Sequence, residues 1–263
     1  MISIPAEAAL GGLRLSRSPS YQIGRRSISI DAAASGAQNM SRDRLLLRQA
    51  ESFAGPMTVV RLYGWSRPTV SLGRHQDAAQ AVDLPCCRRN EIEWVRRPTG
   101  GRAVLHDEEL TYAVVSNEPD LFPLGSISAT YRLVSEILAR GLGALGGTVS
   151  LQRRRGSAAH NGGAIKPCFA TASRHEILFQ GRKLVGSAQR RLRRSFLQHG
   201  SIPVRLDYQR QGKVLKFDAE RLRETVTCWS EIYSSENPAE DLAGALLEVF
   251  ARYLGLLETT DRR

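Results

Sequence analysis

The sequence predicts a domain of the α+β class, or an α/β domain with a mixed sheet. Short strand-like segments alternate with helical ones, at least one pair of strands reads as a hairpin, and no internal repeat is visible. The chain has 263 residues, of which 42% are hydrophobic and 24% charged, so one large domain with a sizeable core is expected. No stretch approaches the roughly 18 to 20 consecutive apolar residues that a membrane helix needs.

The first half of the chain predicts two helices and three strands. Residues 39–50 read as a helix with Asn39 as a possible N-cap, and residues 127–142 read as a second helix. Apolar side chains of the second helix recur at helical spacing and predict its buried face: Ile127, Tyr131, Val134, Leu138 and Leu142. Strand patterns occupy 58–63, 92–97 and 110–115.

The second half predicts a loop, a hairpin and a final helix. The basic, glycine-rich residues 152–167 are expected to form a mobile surface loop, and the strings HEILF and KLVGSAQ flank a Gln180-Gly181 turn. The last helix is expected to start at Asn237, with Pro238 in its first turn. Its predicted buried face consists of Leu242, Ala245, Leu246, Val249, Phe250 and Tyr253.

The predicted domain leaves out both ends of the chain. Residues 1–25 are expected to be an unstructured extension, and residues 35–255 to form a single catalytic domain.

The net charge of +11, with a pI near 10.1, favours acidic partners, either nucleic acid or acidic proteins. Only 6% of residues are aromatic and no basic patch is interleaved with aromatics, so a nucleic-acid partner is not expected.

Four cysteines in a chain of this size do not predict a disulfide framework, and we expect a reducing, cytoplasmic compartment. Cys168 follows the glycine-rich loop and precedes a strand, where a side chain can face a cleft. A buried inert cysteine and a reactive one both fit this context. Cys86, Cys87 and Cys228 are interpreted as buried and inert.

Two further patterns predict no cofactor and no metal. Residues 141–146, GLGALG, match a dinucleotide-binding string, but these glycines end a helix instead of opening one, so a helix C-terminus is expected. The five histidines are not spaced as metal ligands, and no cysteine or acidic cluster joins them.

Residues 97–107, RPTGGRAVLHD, place two glycines and two arginines between strand-like segments. Glycines let a backbone approach a ligand closely, so the segment is either part of a binding site or an ordinary hairpin turn with solvated arginines.

Long strings in the same order resemble a known superfamily. VRRPTGGRAVLHDEELTYAVV (95–115) and CFATASRHEILFQGRKLVGSAQRRLRRSFLQHGSI (168–202) are similar to the two signatures of the lipoate-protein ligase A, octanoyltransferase and biotin ligase superfamily. GAQNMSRDRLLL (36–47) and WSRPTVSLGRHQ (65–76) add support. Within that superfamily, the sequence most resembles the single-chain, ligase-like octanoyltransferases. The resemblance implies the fold of that superfamily, with a mixed, largely antiparallel sheet flanked by helices.

The resemblance also implies the site. It makes Cys168 the nucleophile and Lys183 the basic residue beside it. It implies substrate-binding roles for Arg97, Gly100, Gly101, Arg102, His106, Gly186, Ser187 and Gln189. The sequence departs from the family at Ala170, where an acid is common, and in the arginines at 153–155.

The implied activity is transfer of an octanoyl group from octanoyl-acyl carrier protein, through a Cys168 thioester, to a lysine of lipoyl domains or of the glycine-cleavage H protein. No cofactor, nucleic acid or membrane partner is implied. Three alternatives remain: an ATP-dependent lipoate ligase, an amidotransferase that takes octanoate from the H protein, and a non-catalytic binding protein on the same fold. Cys168 and the lack of residues for an accessory C-terminal domain count against the ligase, and the GSAQRR string against the amidotransferase.

Overall fold

The computed structural model describes residues 8–10, 13–15, 20–152 and 175–258. Helices and strands are mixed, as the sequence predicts. The helices are α1 (Gly36–Ser52), α2 (Ala78–Ala81), α3 (Leu84–Arg89), α4 (Ile127–Ala144), α5 (Tyr208–Leu215), α6 (Ala219–Thr225) and α7 (Pro238–Tyr253), with a 3₁₀ turn at Trp229–Glu231.

The strands form a large sheet, a small sheet and a short hairpin. They are β1 (Ala8–Leu10), β2 (Leu13–Leu15), β3 (Ser20–Ile23), β4 (Arg26–Ile30), β5 (Thr58–Tyr63), β6 (Thr69–Leu72), β7 (Glu93–Arg96), β8 (Val104–His106), β9 (Glu109–Ser116), β10 (Ser150–Leu151), β11 (Ile177–Phe179), β12 (Arg182–Arg191) and β13 (Phe196–Pro203). The large sheet has the order β10-β11-β12-β13-β9-β5-β4-β3, the small sheet β7-β6-β8, and β1 pairs with β2.

Within the two larger sheets, only β4 with β5 and β6 with β7 pair in parallel. The prediction of a mixed, largely antiparallel sheet is therefore confirmed. Strand β3 lies at the edge of the large sheet and pairs with β4. Residues 1–25 were expected to be unstructured, and that expectation was wrong where β1, β2 and β3 form.

The central strands are buried on both faces because helices cover both sides of the sheet. On β9, Tyr112 and Val114 pack in one apolar cluster with α4 and α7, while Ala113 and Val115 pack in another with α1. This period of two explains how β9, which is buried along its whole length, serves two separate cores.

Helix α1 starts at Gly36, three residues before the predicted position. Ser35 is its N-cap and forms a capping box with Gln38. Asn39, predicted as the cap, is buried inside the helix, and its side-chain amide donates to the carbonyls of Ala34 and Gly64 at 3.3 and 3.1 Å. The prediction was wrong because a tertiary hydrogen bond uses the Asn39 side chain.

The faces of α4 and α7 differ in part from the predicted ones. Ile127, predicted to be buried, is 61% exposed at the start of α4, whereas Val134, Leu138 and Leu142 are fully buried. On α7 the buried face turns toward Ala243 and Leu247, while Ala245, Val249 and Tyr253 are half-buried. Asn237 occupies the N-cap position of α7 without a side-chain hydrogen bond, so the predicted side-chain cap is absent.

The predicted hairpin is confirmed. Gln180 and Gly181 connect β11 to β12 with φ of 48° and 79°, two positive angles that are typical of a type I′ turn. The glycines at 141–146 end α4 and lead into a turn at Gly146, whose φ is +86°, as the sequence predicts. The loop predicted at 152–167 lies outside the described residues except for Gln152.

Candidate active site

A cleft lies between the large sheet, α1 and the small sheet, and its walls enclose about 460 Å³ of space, part of it open to solvent. The cleft is lined by Met40, Tyr63, Trp65, Ser71, Arg97, Val104, His106, Thr111, Lys183, Gly186, Ser187, Ala188, His199, Gly200 and Ser201. Of the site residues expected from the sequence, the structure brings Arg97, His106, Lys183, Gly186 and Ser187 together here.

The remaining expected residues are placed differently. The residues that line the cleft do not include Gly100, Gly101, Arg102 or Gln189, although these four are close in sequence to lining residues. Cys168, the expected nucleophile, lies outside the described residues. The prediction for these positions therefore remains a prediction.

Lys183 lies at the start of β12, opposite Leu178 of β11. Its Nζ is 2.7 Å from Oε1 of Glu176, and both side chains are 3% exposed. A buried ammonium requires a partner because desolvation of an unpaired charge is costly. The hairpin supplies that partner only seven residues away, so the short β11–β12 turn directly positions the lysine in the cleft wall.

His106 is held by both of its ring nitrogens. Nδ1 lies 2.8 Å from Oε1 of Glu109 and Nε2 lies 2.7 Å from Oγ of Ser71, while the ring stacks on Trp65 with centroids 4.0 Å apart. His106 therefore lines the cleft while both of its ring nitrogens bond to the protein.

Glu109 is the shared acceptor of this group. Its carboxylate also accepts from Trp65 Nε1 at 3.1 Å, from Thr111 and from Ser201. Burial alone would raise the pKa of Glu109, but His106, Ser201 and Thr111 favour the charged form and hold the pKa below its ordinary value. The carboxylate therefore stays ionised beside His106, which lines the cleft.

Arg97 fastens the loop that follows it. Its guanidinium donates to the carbonyls of Ser71 at 2.8 Å, Gly100 at 2.8 Å and Arg102 at 2.7 Å. The resemblance implies that Arg97 binds substrate. The contacts give it a second task, because a planar fork of donors holds three carbonyls of two segments in one arrangement.

The glycine loop approaches another segment of the chain closely at Gly73 and Gly101. A Cβ on Gly73 would lie 1.9 Å from the carbonyl oxygen of Gly101, and Gly101 has a φ of +92°. Gly100, in contrast, has open space where a Cβ would lie. Of the two predicted glycines, only Gly101 takes a conformation that requires the residue type.

The β12 side of the cleft carries a row of neutral hydrogen bonds. Tyr112 donates its hydroxyl to Ser187 Oγ at 2.6 Å and accepts from Gln198 at 3.3 Å, and Gln198 in turn accepts from Gln189 at 2.9 Å. Burial raises the pKa of Tyr112 to about 12, so the phenol remains a neutral donor. Ser187 is thereby oriented by its neighbours, opposite Gly200 of β13.

A buried chain of polar groups behind the cleft was not expected from the sequence. Asp43 of α1 accepts from Arg61 Nη1 at 2.6 Å and from Tyr63 at 3.0 Å, and its Oδ2 is 2.9 Å from Nδ1 of His199. Nε2 of His199 lies 2.7 Å from Oγ1 of Thr99. Because a carboxylate only accepts, Nδ1 of His199 carries the proton and Nε2 accepts from Thr99.

One sequence signal could have found this chain. Met40, Leu47 and Ala50 of α1 face the core, and Asp43 lies three residues after Met40 on the same face. A charged residue on an apolar helix face indicates a buried partner elsewhere. The identity of that partner, 156 residues further along, could not be read from the pattern.

The three described cysteines are buried and without reactive surroundings, as predicted. Burial raises the pKa of Cys87, and burial together with Glu231 raises the pKa of Cys228 to about 11. A thiol with a raised pKa is a poor nucleophile because the thiolate is the reactive form. Within the described ranges, no group of three or more His, Cys, Asp or Glu side chains is arranged to hold a metal, and no helix is long and apolar enough to cross a membrane.

The model of the lipoyl protein ligase A/B catalytic domain family matches residues 35–251. The chain belongs to that family. Octanoyltransferase LipM from Kyrpidia tusciae is 40% identical to it over 84% of each chain. Octanoyltransferase LipM from Bacillus subtilis is 35% identical over 73% of this chain and 69% of its own.

Solved structures share the fold of the lipoyl protein ligase family. A bi-partite lipoate protein ligase from Thermoplasma acidophilum superimposes with a TM-score of 0.66, at 23% identity over 88% of this chain and 84% of that one. Lipoate-protein ligase A bound with ATP also gives 0.66, at 24% identity over 89% and 86%. These likenesses confirm the expected fold, with its mixed sheet flanked by helices.

Proposed function

We propose that this protein is a cytoplasmic octanoyltransferase of lipoate biosynthesis. It takes an octanoyl group from octanoyl-acyl carrier protein onto Cys168 and passes it to a lysine of a lipoyl domain or of the glycine-cleavage H protein. The observation that carries octanoyl transfer is the 40% identity to an octanoyltransferase over 84% of both chains. The cysteine and the carrier-protein donor rest on the signature strings around Cys168 and Lys183.

The reaction balances without ATP. The Cys168 thiolate attacks the thioester carbonyl, a new carbon–sulfur bond forms, and the carrier leaves as a thiolate that takes up a proton. The neutral amine of the acceptor lysine then attacks the enzyme thioester, loses a proton and forms an amide, and the Cys168 thiolate is released. An amide is more stable than a thioester, so the second step runs downhill.

Lys183 is proposed to orient groups and stabilise the oxyanion. A neighbouring ammonium that lowered a thiol pKa from about 8.5 by about two units would raise the thiolate fraction at pH 7 about 25-fold. The lower basicity would make the thiolate about eightfold less nucleophilic, so the net gain in reaction rate would be only about threefold. Because Glu176 lies 2.7 Å from Lys183 Nζ, the pair is neutral as a whole, and its field at a neighbouring sulfur is weaker than that of a lone lysine.

The deciding experiment is acyl loading in the absence of ATP. The protein is mixed with octanoyl carrier protein, and mass spectrometry is expected to find a gain of about 126 Da, octanoyl minus a proton, on Cys168. Cys168→Ala should abolish loading and transfer, whereas Cys228→Ala, which changes a buried thiol, should retain both. Near-normal transfer by Cys168→Ala would contradict the mechanism.

Each of the three alternative functions predicts a different result in this assay. If transfer requires octanoate and ATP, the protein is a ligase, and Lys183 contacts an acyl-adenylate. If octanoylated H protein loads Cys168 and octanoyl carrier protein does not, the protein is an amidotransferase. A non-catalytic binding protein would show no adduct with any donor.

A further inference from the structure

We propose that four arginines at one end of the cleft form a docking surface for the acidic face that surrounds the acceptor protein's target lysine. The four are Arg44, Arg48, Arg74 and Arg190, called the basic rim below. The inference rests on the proposed function, because it assigns the surface to one of the two partners in that reaction.

The basic rim continues rows of residues that line the cleft. On α1, Met40 lines the cleft, and Arg44 and Arg48 follow at successive intervals of four residues on the same helix face. On β12, Gly186 and Ala188 line the cleft, and Arg190 is the next residue on that side of the strand. Two separate elements thus run from the cleft to an arginine.

Backbone contacts gather the basic rim at one place. Nη2 of Arg44 donates to the carbonyl of Arg96 at 2.6 Å, and Nη1 of Arg96 donates to the carbonyl of Arg74 at 3.2 Å. Nη1 of Arg190 lies 3.3 Å from the carbonyl of Pro98, in the loop that Arg97 fastens. Arg44, Arg48 and Arg74 are exposed, and Arg190 is half-buried.

The positive charge of the basic rim is not neutralised by the described part of the chain. The ion pairs found there involve none of the four arginines. Glu51, one turn beyond Arg48, is occupied by Ser195 and by the backbone amides of Arg193 and Arg194.

The four guanidinium groups also act on one another. Partial burial, together with the charges of Arg74, Arg48 and Arg44, lowers the pKa of Arg190. Like charges gathered in this way repel, and an anionic partner would relieve that repulsion. The charge therefore complements an acidic protein surface.

The two partners differ in how far their reacting group extends from the protein surface, and this difference assigns the basic rim to the acceptor. A lysine side chain has only a four-carbon stem, so the acceptor's surface must come to the edge of the cleft for its amine to reach an acyl group inside. A carrier protein delivers its acyl group on a longer prosthetic arm, so its own surface can remain further away. Charges adjoining the cleft edge therefore face the acceptor during transfer.

The test separates the two half-reactions. A rim variant, Arg48→Glu with Arg74→Glu, changes two exposed arginines. A control variant, Arg140→Glu with Arg221→Glu, changes the net charge equally on exposed positions of α4 and α6. Loading is measured with octanoyl-N-acetylcysteamine, an uncharged thioester, and with octanoyl carrier protein. Transfer is then measured from the loaded enzyme to a lipoyl domain.

The rim variant is expected to raise the KM for the lipoyl domain about tenfold, and the control variant much less. Arg48→Gln with Arg74→Gln should give a smaller rise in the same direction, and both rim variants should weaken the dependence of this KM on salt. If the control variant matches the rim variant, or if only the KM for the carrier rises, the assignment to the acceptor is wrong.

Other outcomes are also decisive. Equal loss of loading from the uncharged thioester would make the basic rim part of the cleft's own structure. Binding of duplex DNA that depends on the rim arginines, with an unchanged KM for the lipoyl domain, would assign the rim to nucleic acid. If the parent protein does not load at all, the proposed function fails, which differs from every result above.

Discussion

Two walls of the cleft hold buried charge in different ways. On the lysine wall, Lys183 and Glu176 are seven residues apart and meet through one hairpin. On the histidine wall, Asp43, Arg61 and His199 come from α1, β5 and β13 and meet only in the folded protein. The local pair depends on one short hairpin, whereas the distant chain depends on the packing of helix against sheet. Under the proposed function, we expect the lysine wall to take part in the chemistry and the histidine wall to hold the cleft in shape.

The largest expected effect is on the lysine wall. Lys183→Met should reduce octanoyl transfer at least about hundredfold, because an oriented donor to the oxyanion is lost. It should also lower the free energy of unfolding by about 3 kcal/mol, since Glu176 is left buried without its ammonium. Steady-state transfer and urea unfolding measure the two effects.

The double variant Lys183→Met with Glu176→Gln is the control. It removes both charges of the pair and should recover much of the lost stability without recovering activity. Recovery of transfer by the double variant would mean that Lys183 only neutralises Glu176, and the contrast between the two walls would disappear.

The next largest effect is on the histidine wall, and it concerns stability. Asp43→Asn removes the carboxylate that lies 2.6 Å from Arg61 and 2.9 Å from His199. Breaking this buried network should cost about 3 kcal/mol of unfolding free energy, measured by urea denaturation. Glu136→Gln, which breaks the exposed pair with Arg132, is the control and should cost under about 0.5 kcal/mol. Equal costs for the two variants would argue against a structural role for the buried network.

A smaller effect is expected in the loop that joins Thr99 to the histidine wall. Gly73→Ala would place a Cβ 1.9 Å from the carbonyl of Gly101, so the two segments must separate and the KM for the acyl donor should rise severalfold. Gly100→Ala, with open space at its Cβ, should change the KM little. A similar response of both glycines would mean that the close approach does not shape the cleft.

The smallest effect is a dependence of stability on pH. Burial lowers the pKa of His199, although Asp43 opposes the shift, so the folded protein takes up this proton less readily than the unfolded chain. The contribution of neutral His199 to stability is therefore fully present above the ordinary histidine pKa of 6.5 and is lost as the pH falls below it. His199→Gln should flatten the unfolding free energy between about pH 6.5 and pH 5. An unchanged slope would mean that another group titrates there.

Local patterns in the sequence determined much of this protein. The period of two predicted β9, helical spacing predicted α4, and the Gln180-Gly181 pair predicted the β11–β12 turn, because each depends on neighbours a few residues away. The signature strings predicted that Lys183, His106 and Gly186 belong to one site, and the cleft brings them together.

Tertiary structure alone decided which partners these residues have. Asn39 was expected to cap α1 but hydrogen-bonds to Gly64, and Arg97, which lines the cleft, also holds the carbonyls of Ser71 and Gly100. Asp43 contacts His199 because α1 packs on the sheet. A pattern in the sequence reports which face of an element is buried, but the cost of burying a polar group is met by whichever partner the fold brings within hydrogen-bond distance.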